Sequence, residues 1–380
     1  MEDKVLYSAP PLGDSEMDVI GRIDHLRAQL RGSLSEPRRW TRNLRRLALG
    51  EAVKSSNQIE GFISSLDQAV AVVDRRDAGE LAESTKRALA GYRDAMTFSL
   101  QLADDHEAPE YSSHLIRGLH FMITSGDSRA RPGSWRAGPI YVTGAGGAIA
   151  YTAPDPDQVP GLMAELVGAL NQPTDQPLVA AAMAHLNLVR VHPFRDGNGR
   201  TARCLQSLVL ARHGVVSAQF MSIEEYLGTN TNAYYAALAS TGSSHQPARS
   251  ALPWVRFVLA AHLHQTESYQ RRLRDLDRLW LELASLADNA DERALTALMD
   301  AALGLRVTRA SYQALLAADG QTLSARAAAR DLAALAAAGL LTAQGDNRAR
   351  AYSAGPAVAA IWDRIVADAP PADTSKVFPE

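Results

Sequence analysis

The sequence predicts a mainly α-helical protein of several domains, with one β-hairpin in its middle and a small helix-and-hairpin domain near its C-terminus. Three observations carry this. Apolar residues recur at helical spacing through most of the chain. The stretch from Pro132 to Pro160 departs from that spacing and is rich in Gly, Pro and β-formers. An Ala/Leu-rich run, Thr322 to Ala338, is followed by Gly339-Leu340-Leu341-Thr342 and a turn at Gly345-Asp346-Asn347.

An arm with Ala9-Pro10-Pro11-Leu12-Gly13 reads as extended. Helical spacing then runs from about Met17 to Gly61 with a break around Ser33 to Pro37, from Ser64 to Leu102, and from Ser112 to Thr124. The Pro132–Pro160 segment reads as a hairpin with Gly144-Ala145-Gly146-Gly147 at its tip. Helices resume over Gly161–Gln172, Leu178–Arg190 and Arg200–His213. Beyond Pro253 a helix continues through the charged stretch Gln270–Arg278, which joins two domains. The expected division is 1–110 for an N-terminal helical region, 111–265 for a core, 266–290 for a linker helix, 291–360 for the small domain and 361–380 for a tail, disordered after Ala369.

Composition narrows the class. With 380 residues, 46% of them hydrophobic and 21% charged, the chain has room for two or three cores. A formal net charge of -3 supplies no global attraction to nucleic acid or acidic lipid. Cys204 is the single cysteine, so no intramolecular disulfide forms, which suits a reducing compartment. Glu2 and Asp3 stand where a signal peptide carries basic charge, and the apolar runs fall short of a membrane span. The expectation is a cytoplasmic protein with no membrane partner.

The informative segment is His192-Pro193-Phe194-Arg195-Asp196-Gly197-Asn198-Gly199-Arg200-Thr201-Ala202-Arg203. Gly197-Asn198-Gly199 reads as a loop whose backbone approaches a ligand closely and turns successive N–H groups inward. A helix starts directly afterwards, adding its unpaired N–H groups and positive dipole end. Arg200 and Arg203 lie on one face of its first turn, where each cation is misplaced by roughly 0.3–1 kcal/mol. An anion at the site removes that misfit, and a triphosphate is the obvious candidate. Asp196 at the loop edge suits Mg²⁺ between two phosphates. His192 is the nearby side chain that accepts a proton at neutral pH. No Gly-x-x-x-x-Gly-Lys-Ser/Thr occurs, which argues against a P-loop NTPase.

This segment resembles the motif of Fic (Fido) proteins, His-x-Phe-x-Asp/Glu-Gly-Asn-Gly-Arg-x-x-Arg, at every defined position, and the resemblance covers roughly Arg117 to Phe257. It implies a Fic-fold helical core and an adenylyltransferase that uses ATP and Mg²⁺ to place AMP on Ser, Thr or Tyr hydroxyls of proteins, itself included. His192 is then the general base, Phe194 the core anchor and Asp196 the metal ligand. Gly197, Asn198 and Gly199 cradle the phosphates, with Arg200 and Arg203 on the β- and γ-phosphates.

A second constellation lies upstream in Ser55-Ser56-Asn57-Gln58-Ile59-Glu60-Gly61. Ser56 and Glu60 share a helix face, Gly61 is the expected C-cap, and an acid in the last turn wants a cationic partner. Ser-x-x-x-Glu-Gly resembles the family's inhibitory motif in its class II arrangement. The resemblance implies that Glu60 pairs with Arg203 and keeps the γ-phosphate from binding productively.

Three further regions look similar to the family. Gly133-Ser134-Trp135-Arg136, with Ile140, Tyr141, Val142 and Tyr151, resembles a flap that aligns a target segment by strand addition. Tyr226, Asn232, Tyr234 and Tyr235 resemble the segment bordering the adenine. His120 and His185 have counterparts that read as structural, and His262 and His264 lack zinc-type spacing. The C-terminal run resembles a winged helix-turn-helix domain: Ser324–Gly339 is its recognition-type helix, Leu340–Thr342 and Arg350–Ser353 are its strands, and Arg326, Arg330, Arg348 and Arg350 make it locally basic. DNA or a protein is its expected partner, and a homodimer that tunes inhibition is implied by resemblance alone. Two rivals stay open: AMP removal or another nucleotide transfer at the same site, and a DNA-associated regulator.

Overall fold

The computed structural model describes residues 5–35, 38, 40–105, 107–144, 147–214, 222–287, 290–317, 320–346, 350–368 and 377–378. Within them the chain is mainly α-helical. Ten helices precede the long helix that runs toward the C-terminal domain: α1 (Asp14–Ser35), α2 (Thr41–Ile59), α3 (Leu66–Val73), α4 (Glu83–Asp104), α5 (Ser113–Thr124), α6 (Val159–Leu170), α7 (Pro177–Val191), α8 (Asn198–Arg212), α9 (Glu224–Thr229) and α10 (Thr231–Ala239). Between α5 and α6 lie β1 (Tyr141–Thr143) and β2 (Ile149–Thr152), an antiparallel pair.

The hydrophobic pattern explains which helices are central. α7 and α8 bury residues on every side, among them Ala181, Leu186, Leu205 and Leu208, so neither is amphipathic. Helices with one apolar stripe surround them: α4 buries Leu89, Tyr92 and Met96, and α5 buries Ile116, Leu119 and Ile123. Trp254 is fully buried against the pair and its indole N–H donates to the Ala182 carbonyl at 2.8 Å.

The long helix α11 (Leu252–Leu286) has 35 residues and so spans about 50 Å. Its first half, with Trp254 and Val258, belongs to this core. Its second half, with Leu276 and Leu279, belongs to a second core. That second core holds α12 (Glu292–Ala302), α13 (Arg309–Ala317), α14 (Ala325–Ala337) and α15 (Pro356–Asp368), with β3 (Val307–Thr308), β4 (Leu341–Gln344) and β5 (Ala351–Ala354) in the order β3-β5-β4, both pairs antiparallel.

α2 bridges the two cores as well. Val53 packs in the first, while Leu44 and Ala48 pack in the second. Arg46 ties three elements together, bonding Asp74 at 2.6 Å and Asp300 of α12 at 2.9 Å, and Asn43 donates to Asp300 at 2.7 Å. The Arg46, Asp74 and Asp300 side chains are only 11%, 13% and 3% exposed. Arg46→Ala therefore leaves the buried Asp300 without its cation, while Asp74 keeps Arg76 at 3.0 Å, and a loss of about 3 kcal/mol in chemical denaturation is expected.

Several boundaries differ from the expectation. The span from Ser64 to Leu102 is two helices. A capping box at Ser65 and Gln68 starts α3, and left-handed backbone at Arg75 helps to turn the chain before α4. Asn198 and Gly199 lie in the first turn of α8, which therefore starts two residues earlier than the loop reading expects. Residues 361–368, expected in the tail, continue a helix that begins at Pro356, because Val358, Ile361 and Ile365 share one face and bury it in the second core. The expected hairpin tip at 145–146, Asn347 and Arg348, and the tail residues 369–376 and 379–380 lie outside the described residues.

Candidate active site

The site is built where α7 ends and α8 begins. His192 closes α7 in left-handed backbone, φ 50°, a conformation non-glycine residues seldom adopt. Its Nδ1 lies 3.2 Å from the Val189 carbonyl, which can only accept. Nδ1 therefore carries the proton, and Nε2 presents a bare lone pair. Burial holds the imidazole pKa below its ordinary 6.5, with Arg136 adding to that and the Val189 bond opposing it. A base of this kind is ready at neutral pH. In an assay of the reaction, kcat/KM is expected to be flat at neutral pH and to fall as pH drops through a pKa below 6.5.

The loop after His192 is fixed from both sides. Phe194 is fully buried, and its ring lies parallel to that of His120 at 3.6 Å. The Gly133 N–H donates to His120 Nδ1 and His120 Nε2 donates to the Asp196 carbonyl, both at 2.9 Å, so this imidazole is neutral with its tautomer set. Burial pushes its pKa down to about 4. The Asn198 side chain closes the loop on itself, accepting from the Phe194 N–H and donating to the Phe194 carbonyl, both at 2.9 Å. Asn198 is thus placed to offer a ligand its backbone N–H, since its amide is engaged by Phe194.

Sequence reasoning gave Arg136 no role beyond the flap, yet it clamps the loop. Its Nε donates to the His192 carbonyl at 2.8 Å, and its two terminal nitrogens donate to Gly138 and Pro154. Its backbone N–H donates to the Pro193 carbonyl at 2.9 Å. One buried guanidinium thus ties the base's strained backbone to the hairpin. Carbonyl partners leave no side-chain signature, so no motif could have revealed them.

The first turn of α8 frames a candidate anion hole. Gly197 sits at φ 78°, where an added Cβ would also lie 2.7 Å from Thr124 Cγ2. At Gly199 a Cβ would lie 2.4 Å from Glu60 Oε1. A carboxylate from the end of α2 therefore occupies the space above Gly199, at the positive end of α8. Arg203 Nη2 donates to Glu60 Oε1 at 2.7 Å and to the Ser56 carbonyl at 2.9 Å, and Nε donates to Ser56 Oγ at 2.8 Å. Burial opposes the charge on Arg203, but Glu60 overcomes it and the pKa rises. Nη1 of Arg203 is buried without a hydrogen-bond partner among the described residues. Arg200 is 3% exposed, with Phe62 over its guanidinium at 5.2 Å and the Asp196 carboxylate no nearer than 3.9 Å.

Asp196 is open: its side chain is 59% exposed. Among the described residues no group of three His, Cys, Asp or Glu side chains gathers to hold a metal alone. A single carboxylate nevertheless fits Mg²⁺, which keeps several waters and completes its shell with substrate phosphates.

The other expected residues divide. Tyr235 is 48% exposed and its hydroxyl donates to the Ile59 carbonyl at 3.4 Å, beside the end of α2. Tyr234 is buried and bonds His185 Nε2 at 3.0 Å, and His185 in turn bonds Gln206, so both belong to the core. Tyr226 stacks on His264 with 5.6 Å between ring centres, and Asn232 is exposed. In the hairpin, Tyr141 is exposed and Ile140 and Val142 are half-buried. Tyr151 is an anchor instead: it is buried, with its hydroxyl on the Arg190 carbonyl and the Arg190 guanidinium over its ring.

This constellation of neutral base, glycine-framed anion hole, paired arginines and open carboxylate lies on a helical fold that comparison with known proteins identifies. Residues 110–210 match the Fic/DOC family, and the chain carries a Fic domain there. Among its relatives is the protein adenylyltransferase fic-1 of Caenorhabditis elegans, 32% identical over 176 residues, which are 45% of this chain and 30% of that protein. The protein adenylyltransferase Fic of Culex quinquefasciatus is 40% identical over 85 residues, 22% of this chain and 16% of that one. The chain thus spans about a third or less of these relatives' length. A Fic family protein from Desulfovibrio desulfuricans G20 shares the fold over 92% of this chain and 98% of its own, with TM-score 0.59 and 20% identity. A fragment of Fic-1 from C. elegans shares it over 67% of this chain and 70% of its own, with TM-score 0.52 and 24% identity. No helix among the described residues is long and apolar enough to cross a membrane.

Proposed function

We propose that the protein is an adenylyltransferase that moves AMP from ATP to a Ser, Thr or Tyr hydroxyl of a protein, itself included, and that Glu60 restrains it. The observation that carries this reading is the Glu60 carboxylate, bonded to Arg203 directly above Gly199. An acid in that place is an anion in the hole that a terminal phosphate requires. Relatives named protein adenylyltransferase support the chemistry.

His192 Nε2 takes the proton of the target hydroxyl as its oxygen attacks the α-phosphorus. The bond from that phosphorus to the bridging oxygen breaks, and its electron pair leaves with pyrophosphate. Backbone N–H groups at the start of α8, with Arg200 and Arg203, stabilise the charge that builds on the leaving group. Mg²⁺ held by Asp196 would neutralise phosphate charge. Arg136, His120 and Asn198 hold the loop so that little is reorganised during the reaction. β1, with its outer edge, is suited to lining up an extended target segment.

ATP labelled at the α-phosphate or at the γ-phosphate tests this. Acid-stable protein label from the α-position alone supports AMP transfer. Label from the γ-position would show phosphoryl transfer instead, and release of AMP from a pre-modified protein, without label from either, would favour AMP removal with Glu60 orienting the water. The C-terminal helices with β3-β5-β4 support a winged helix. Its helix α14 carries only two cations, Arg326 and Arg330, both exposed, and so small a positive charge favours a protein partner over DNA.

A further inference from the structure

Glu224, the first residue of α9, is a buried acid that the reaction above does not use. No cation is bonded to it among the described residues. Its carboxyl accepts from hydroxyls instead: Oε1 from Tyr92 at 2.8 Å and from Ser207 at 3.3 Å, and Oε2 from Ser222. A buried carboxyl that meets only neutral donors is costly unless a cation lies close behind them.

Tyr92 leads to that cation. Its hydroxyl is bonded by Ser56 and feels the charges of both Glu224 and Arg203. Burial, then Glu224, push its pKa far up, so it keeps its proton and gives it to the acid as a hydrogen bond. Ser56 Oγ accepts from Arg203 Nε at 2.8 Å, which leaves the Ser56 proton for Tyr92. The donors therefore all point one way, from Arg203 through Ser56 and Tyr92 to Glu224. These four side chains come from α8, α2, α4 and α9, and each residue is at most 2% exposed. In so dry a place each bond of such a chain polarises the next, so the distant acid pulls on the guanidinium. Glu60 holds a different part of it, Nη2, and must leave before a phosphate enters. The chain ends on Nε and does not compete with that phosphate.

We propose that Glu224 is a positioning residue for Arg203: through Tyr92 and Ser56 it fixes the Nε edge of the guanidinium, so that the outer nitrogens stay aimed at the terminal phosphates once Glu60 has withdrawn. This rests on the phosphate role given to Arg203 above. Calorimetry of Mg-ATP and of AMP, which lacks those phosphates, is the test, on Glu60→Gly alone and combined with Tyr92→Phe or Glu224→Gln. Tyr92→Phe is expected to weaken Mg-ATP about tenfold and to leave AMP unchanged. Glu224→Gln keeps an acceptor for Tyr92 but no charge, and should fall between. Phenylalanine fills the same space and Ser207 and Ser222 still bond Glu224, so the variants are expected to fold, which thermal unfolding checks. Equal losses for both nucleotides would reduce Tyr92 and Glu224 to packing and overturn the proposal. So would Mg-ATP affinity that ignores either substitution, or no Mg-ATP binding by Glu60→Gly itself. Label from α-labelled ATP is followed in the same variants. If none is transferred while the selective loss of Mg-ATP persists, the AMP-transfer reading falls and the hold on Arg203 stands.

Discussion

Glu60→Gly is expected to raise AMP transfer about a hundredfold while making the protein less stable. The two effects have one cause. Arg203 is almost wholly buried, and the Glu60 carboxylate is the only acid bonded to it among the described residues. Removing one member of a buried pair leaves the other uncompensated, a loss of about 3 kcal/mol. The same energy is what a terminal phosphate must overcome to displace the carboxylate, and about 3 kcal/mol corresponds to about a hundredfold in occupancy. Saturating ATP should therefore restore part of the lost stability in the variant and little in wild type. Thermal unfolding with and without Mg-ATP checks this. A variant as stable as wild type, or one that gains no activity, would show that the pair does not govern the site.

The second large effect is at His192. His192→Asn, made in the Glu60→Gly background, is expected to lower transfer by about 10²–10⁴-fold, the usual contribution of a positioned general base. Asparagine is the informative replacement because it tolerates left-handed backbone better than alanine and its amide can still donate to the Val189 carbonyl. The loop should then keep its shape, so ATP binding measured by calorimetry is expected to change little. Loss of binding along with activity would assign His192 to the architecture of the site rather than to proton transfer.

What was legible in the sequence follows from where each interaction keeps its information. The Glu60–Arg203 pair joins residues 143 positions apart, yet both ends are charged and both are misplaced against their own helix dipoles, so each announces a missing partner. The anion hole was legible for a similar reason, since Gly197 and Gly199 are expensive where they stand unless a backbone must come close to something. Arg136 and His120 were harder. Their partners are main-chain carbonyls and an N–H, which every residue carries, so their part in holding His192 and Asp196 becomes visible only in three dimensions.

The misreadings have physical causes too. The prolines at 370 and 371 draw the expected tail back to residue 361, although Ile361 and Ile365 continue the helical spacing that Val358 begins. The side chain of Asn198 closes the loop onto Phe194, a part that the motif's spacing does not reveal and that leaves its backbone N–H for a ligand. Tyr151 and Tyr234 sit in segments where neighbouring aromatics are exposed, and burial alone separates the anchors from the surface residues.

The most direct test of an AMP transferase restrained by Glu60 is intact-protein mass spectrometry after incubation with unlabelled ATP and Mg²⁺. Wild type should stay mostly unmodified, Glu60→Gly should gain the mass of one or more AMP groups, and Glu60→Gly with His192→Asn should gain none. Equal AMP adducts on wild type and Glu60→Gly, or adducts that survive loss of His192, would contradict the account.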